Sequence, residues 1–538
     1  MRRLLAAATA IALVAIGAAA TDAAATDTRA EQAGIGAFDP TVTWEKCTDS
    51  TLKMHKAQCG FVTVPLDYRD PDGKTIQLAI SRIKHTVPAA KYQGIMLINP
   101  GGPGGKGRGL SALGSLVPKG AGAAYDWIGF DPRGVGASKP SLSCDSDYTG
   151  YNRPEYVPST PEIEQAWLLR AKKYADDCAK AGGELLDHLK TQDTVRDMEN
   201  IRLVLGARQI NFYGFSYGTY LGQVYATQYP SRVRRMVLDG NVNPARVWYE
   251  SNLDQDIAFD RSIKVYFAWL AENERTFRVG RTAREVEKRF YAEKARLAKK
   301  PAGGVIGSSE FTDVFLQAGY YTFGWVDIAR AYSAWVHKRD AAPLKKLFDG
   351  NNPREKGGDN GYAIYLGVQC TDAPWPASWA RWTSDNWATH RKAPFETWGN
   401  AWYNAPCRDW AAKPGVAPTV SGETVPPLLL ISETLDAATP FEGSLEVRKR
   451  FPNSSLIEGV GGTTHAGSLF GNRCVDDAVA DYLLTGVLPK RVKGDRSDKR
   501  CAPIEPPLVT KVAPAPAGKK QVVTRADLRW ELQRQIVR

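Results

Sequence analysis

Histidine and methionine are scarce, with six and five copies in 538 residues. No cysteine pair has C-x2-C spacing and none is followed by a nearby histidine pair, so a zinc site is not expected and no metal is assigned. After the first twenty residues no apolar run reaches the 18 or more residues that a membrane span needs. Disorder is excluded by composition: hydrophobic residues make up 43% of the chain, aromatics 10% and charged residues 24%, enough to bury a sizeable core. At roughly 150 residues per domain the length is that of three to four domain-sized units. Acidic charge is in deficit, and the net charge is +12. From residue 486 onward there are 13 basic and 5 acidic residues, so +8 of the +12 sits in the last 53 positions. The body is therefore nearly neutral, which removes most of the case for a nucleic-acid partner.

What is present begins with an export signal. Arg2 and Arg3 precede an apolar run over residues 4–20, followed by small-residue cleavage sites, so residues 1–25 read as a secretory signal, with room for a pro-segment to about residue 38. No cysteine lies near the cleavage region to carry a lipid. Eight cysteines follow, an even number that in an exported chain reads as disulfides. Sequence alone allows 105 pairings. Closeness along the chain favours Cys47–Cys59, Cys144–Cys178, Cys370–Cys407 and Cys474–Cys501. A secreted, extracellular protein without a membrane span or cofactor is expected.

Residues 61–66 and 76–83 alternate as a hairpin across Asp70-Pro71-Asp72-Gly73. Short continuous apolar runs at 94–99, 127–130, 210–213, 236–238, 428–431 and 455–457 have the character of buried parallel strands, and an amphipathic segment at 194–205 lies among them. Strand and helix alternate, which argues for an α/β fold with a mainly parallel sheet. About 180 residues interrupt the pattern, and between Trp248 and Trp410 this insertion holds 11 of the 15 tryptophans. The expected organisation is a core over 40–244, a helical cap over 245–420, the rest of the core over 421–505 and a basic linker and tail over 506–538. The tryptophans are read first as the cap's own core, and second as partial lining of a substrate pocket.

Gly214-Phe215-Ser216-Tyr217-Gly218 follows a strand and opens a helix-like segment ended by Pro230. In a chain with 49 glycines G-x-S-x-G is a weak pattern by itself; its place between strand and helix makes it a nucleophile elbow. A serine hydroxyl needs a base. Of His55, His85, His188, His337, His390 and His465, only His465 follows the last strand signals, in a glycine-rich loop, as the order serine, acid, histidine requires. The acid is assigned to Asp436, with Asp239 as rival and Glu433 a distant third. For the oxyanion hole, Tyr217 supplies one backbone N–H and Gly102 the other. The loop at 102–107 also spells G-x-G-x-x-G, but Pro103 disfavours the tight turn into a helix, and nucleotide binding is rejected. A P-loop fails because Gly107 follows Lys106. Cap acids Glu250, Asp254 and Asp256 are weak candidates for the substrate amine, Glu250 first.

Together, Val64-Pro65-Leu66-Asp67-Tyr68, Asn99-Pro100-Gly101-Gly102-Pro103-Gly104, Asp131-Pro132-Arg133-Gly134-Val135-Gly136, the elbow through Gly222, and Val237-Leu238-Asp239-Gly240 resemble the secreted bacterial tripeptidyl aminopeptidases. These are α/β-hydrolases related to prolyl iminopeptidases. The likeness runs from about Thr43 to Cys501 and leaves the basic end unexplained. It implies release of tripeptides from free N-termini, with Ser216, Asp436 and His465 as the triad. A secreted carboxylesterase of the same fold is the alternative, and a non-catalytic surface-binding module ranks behind both.

Overall fold

The computed structural model describes residues 41–509. The expected export signal and pro-segment, and the basic tail beyond 509, lie outside the described residues. Ten strands form one sheet in the order β1-β2-β3-β5-β4-β6-β7-β8-β9-β10. The hairpin β2 (Gln58–Pro65) and β3 (Thr75–Ile83) is antiparallel, and β1 (Glu45–Lys46) extends it at the edge. From β5 (Asp126–Phe130) onward, through β4 (Ile95–Asn99), β6 (Ile210–Phe215), β7 (Val233–Asp239), β8 (Leu429–Glu433), β9 (Ser455–Gly459) and β10 (Lys499–Cys501), neighbours run parallel. Every residue of β4, β6 and β8 is buried. Helices cover both faces of a parallel sheet, so these strands read as unbroken apolar runs rather than alternating ones.

Helix Pro161–Gly182 starts on Thr160, whose hydroxyl caps the N–H of Ile163, with proline at the first turn where its missing N–H costs nothing. Arg133 is fully buried below the sheet's rim. It forks onto Asp197 at 2.7 and 2.8 Å and reaches the carbonyls of Leu66 and His188. The Asp-Pro-Arg-Gly segment after β5 is thus a staple between the hairpin and helix Thr191–Val204.

The insertion between β7 and β8 is helical, but it does not pack as one unit. Helices Tyr249–Glu272, Ala283–Lys299, Ser308–Tyr320 and Trp325–Lys338 close around their own core of Phe259, Phe290, Phe311, Phe315 and Trp325. Helix Asn360–Asp372 instead buries Ile364, Leu366 and Val368 in the main core beside Leu189 and Val195. A third cluster stacks Trp167 on Trp402 at 5.7 Å, with Trp398 5.5 Å and Trp379 5.0 Å from Trp402. Trp167 belongs to helix Pro161–Gly182, so this stack fastens the insertion to a helix that precedes the elbow. Four disulfides join Cys47–Cys59, Cys144–Cys178, Cys370–Cys407 and Cys474–Cys501.

Candidate active site

Ser216 sits between β6 and helix Tyr217–Gln228 with φ 54° and ψ −127°, a strained backbone for a residue with a side chain. The turn is so tight that a Cβ on Gly214 would lie 2.5 Å from the carbonyl oxygen of Gly218, and one on Gly218 2.7 Å from that of Asn99. Both contacts are closer than real Cβ atoms allow, which is the physical reason for glycine two before and two after the serine. The N–H of Ser216 donates to the Asp239 carbonyl at 2.9 Å and fixes the turn to β7.

The loop after β4 packs directly on this turn. Gly101, at φ 98°, approaches so closely that a Cβ there would stand 2.8 Å from that of Ser216 and 2.9 Å from the Tyr217 nitrogen. The Gly101 N–H donates to Asn99 Oδ1 at 2.9 Å. Gly102 follows, at φ 106°, and lines the same cavity as Ser216, Tyr217 and His465. Tyr217 is the first residue of its helix, where an N–H has no intrahelical acceptor.

His465 and Asp436 meet in the interior, 2% and 0% exposed. Asp436 Oδ2 lies 2.8 Å from His465 Nδ1 and Oδ1 lies 3.0 Å away. The backbone N–H groups of Ala438 and Thr439 donate to Oδ1 at 3.0 Å, and the Thr439 hydroxyl to Oδ2 at 2.9 Å. These donors hold the carboxylate in place against the imidazole. Ser216, on the elbow, and His465, on the loop after β9, both line one cavity of about 1650 Å³.

The other two acids considered from sequence serve elsewhere. The Asp239 carboxylate accepts the Ser468 N–H at 2.7 Å, and burial pushes its carboxyl up to about 6 against the opposing Ser468 bonds. Glu433 accepts the N–H groups of Thr464 and Ile504, both at 2.6 Å, and burial pushes it up to about 8 while those bonds act the other way. Neither is hydrogen-bonded to His465; Glu433 holds the loop on which it rides.

The cap acids need correction. Glu250 is absent from the cavity lining; its side chain is 45% exposed and meets Arg381 at 3.5 Å. It directly precedes Ser251 and Asn252, which do line the cavity. Asp254 lines it, but its carboxylate is paired with Arg246. Asp256 lies behind the wall and accepts from Asn400 at 2.9 Å. Of the tryptophans, Trp248 alone is in the lining. Sequence reasoning missed Tyr320 and Glu396, both in the lining and both on the insertion; only the general demand for a carboxylate in the cap hinted at the second.

A family model described as alpha/beta hydrolase fold matches residues 94–325, and one described as TAP-like protein matches 393–501. Over 489 residues the chain is 40% identical to a tripeptidyl aminopeptidase of Streptomyces lividans, covering 88% of each chain. The chain belongs to the tripeptidyl aminopeptidase family of α/β-hydrolases. More distant relatives include Carboxylesterase B of Mycobacterium tuberculosis, 30% identical over 86% of this chain and 90% of that one. Serine protease Hip1 of the same species is 29% identical over 83% and 89%. The two family models meet the strands unevenly: the first spans β4 to β7, and the TAP-like match carries β8, β9, β10, Asp436 and His465.

Proposed function

We propose that the chain is an exported serine exopeptidase that releases tripeptides from the free N-termini of peptides through an acyl-enzyme. The observation that carries this reading is that Ser216 and His465, the latter hydrogen-bonded to Asp436, line one cavity in a chain 40% identical to a tripeptidyl aminopeptidase. His465 takes the Ser216 proton as the hydroxyl attacks the scissile carbonyl. Asp436 holds Nδ1–H and stabilises the imidazolium that forms. The developing oxyanion is received by the N–H groups of Tyr217 and Gly102, each such donor being worth roughly 10²–10³ in rate. His465 then returns the proton to the leaving amine, and water repeats the cycle on the ester.

The four disulfides and the N-terminal signal segment support export to the extracellular space. The basic end beyond 509 suits weak attachment to an anionic cell surface, with peptides rather than nucleic acid as partners. The relative named Carboxylesterase B favours a second reading, hydrolysis of acyl esters with the same residues.

The test is Ser216→Ala against tripeptide anilides with free and acetylated N-termini and against simple acyl esters. Activity should vanish on all of them while the protein stays folded; surviving turnover sinks the assignment of Ser216. In the native protein, acetylation of the N-terminus should abolish peptide cleavage. An unchanged rate on blocked peptides, or turnover of esters alone, selects the esterase reading.

A further inference from the structure

We infer that Glu396 is the carboxylate that receives the free ammonium group of the substrate, an inference that rests on the exopeptidase reading above. Glu396 immediately precedes helix Thr397–Asn404 and lines the cavity that also holds Ser216 and His465. The residue is 7% exposed, and its Oε2 is buried without a hydrogen bond from any described residue. A buried carboxylate oxygen without a donor is costly. An N-terminal ammonium brings three donors and a positive charge to it.

The surrounding charges point the same way. Arg153 is shared between Glu310 and Asp313, so its guanidinium is already matched by two carboxylates. Asp256 adds another acid near Glu396, and Lys294 is the other cation whose charge acts on it. Four carboxyl groups therefore face two cations. Burial and the charges of Asp313 and Asp256 push the Glu396 carboxyl well above the usual range, and a neighbouring ammonium acts in the opposite direction. Room for the group is kept by Gly399, where a Cβ would lie 2.8 Å from Glu396 Oε1.

Tyr320 relates this part of the cavity to the reacting centre. Its ring lies 6.0 Å from that of His465, and the charges of both Glu396 and Asp436 act on its phenol. Glu396 and the Asp436–His465 pair thus act on one and the same side chain; an N-terminal segment of three residues extends to about 10 Å, the span that the inference requires between Glu396 and the scissile carbonyl.

The experiment measures kcat and KM for a free-amine tripeptide anilide and its N-acetyl counterpart, in the native protein, Glu396→Gln, Glu396→Asp and Gly399→Ala. The native protein should prefer the free amine strongly. Glu396→Gln should cut that preference at least tenfold, mainly by raising KM, and Glu396→Asp should restore part of it. Gly399→Ala, which crowds Oε1 without removing the carboxyl, should weaken the preference too, and it supplies the answer if Glu396→Gln does not fold. A native preference that survives within twofold in both Glu396→Gln and Gly399→Ala overturns the role of Glu396 alone. No preference in the native protein overturns the exopeptidase reading, and the inference with it.

Discussion

The backbone N–H of His465 donates to the carbonyl of Tyr320 at 2.8 Å. The loop that carries the proposed base is thereby tied to the end of helix Ser308–Tyr320, deep in the insertion. Other bonds strengthen the tie: Gln255 donates to the Ala438 carbonyl at 2.6 Å, and Ala437 and Ala438 pack into the insertion's own core. The insertion therefore supports the loops of the proposed acid and base directly, besides walling the cavity.

This tie can be loosened at one buried pair, the hydroxyls of Thr464 and Thr322, which lie 2.9 Å apart. Thr464→Val leaves the Thr322 hydroxyl without this partner, which costs about 1–3 kcal/mol. The melting temperature should fall and kcat should drop several-fold with little change in KM. A lowered melting temperature with unaltered kcat would show that the tie supports the fold but not the base.

Thr439 bears on the acid more closely, since its hydroxyl donates to Asp436 Oδ2 at 2.9 Å and stands 3.2 Å from His465 Nδ1. Thr439→Val keeps the shape and removes one of the donors that stabilise the carboxylate. A hydrogen bond to a charged group contributes about 1.5–3 kcal/mol, so kcat should fall roughly tenfold or somewhat more. Steady-state kinetics on a free-amine peptide decides it; equal kcat in variant and native protein would rule the contribution out.

Asp239 makes stability depend on pH. Its folded carboxyl titrates near 6 against an ordinary 3.8, so the folded state binds this proton more tightly than the unfolded state. Its stabilisation is complete below pH 3.8 and is lost as pH rises through 6, an effect of about 3 kcal/mol. Asp239→Asn, which keeps an acceptor for Ser468, removes this component. Urea midpoints at about pH 4 and pH 7 should differ less favourably for low pH in the variant than in the native protein; an identical pH difference in both would contradict the assignment.

The central sheet was legible because its parallel strands are buried on both faces and therefore stand out as short apolar runs, β4 and β6 most clearly. The elbow was legible for a steric reason: Gly214 and Gly218 are demanded by backbone contacts that no other residue survives. The order of acid and histidine along the chain pointed to Asp436 and His465, which the structure brings within hydrogen-bond distance. β10 escaped, being three residues of Lys-Arg-Cys whose place depends on the Cys474–Cys501 bridge and on Asp498 gripping Arg448 at 2.7 Å. The insertion was legible as helical, but nothing local to residues 360–372 says that this helix belongs in the main core rather than the cap. Glu250, a weak candidate from sequence, is absent from the cavity lining, because the order of cap acids along the chain does not say which side of a helix faces the cavity. Glu396 gave no signal beyond the general demand for a carboxylate in the cap, since a burial without a partner exists only in the folded insertion.

Every disulfide joins two cysteines that are consecutive in the cysteine order. For a chain that emerges from a membrane N-terminus first, this arrangement acts as a queue. Each bridge's second thiol follows its first before the next bridge's first thiol appears, with 12 to 37 residues between partners. Oxidation in order of emergence then reaches the native connectivity directly, without the reshuffling that a nested or crossed set would require.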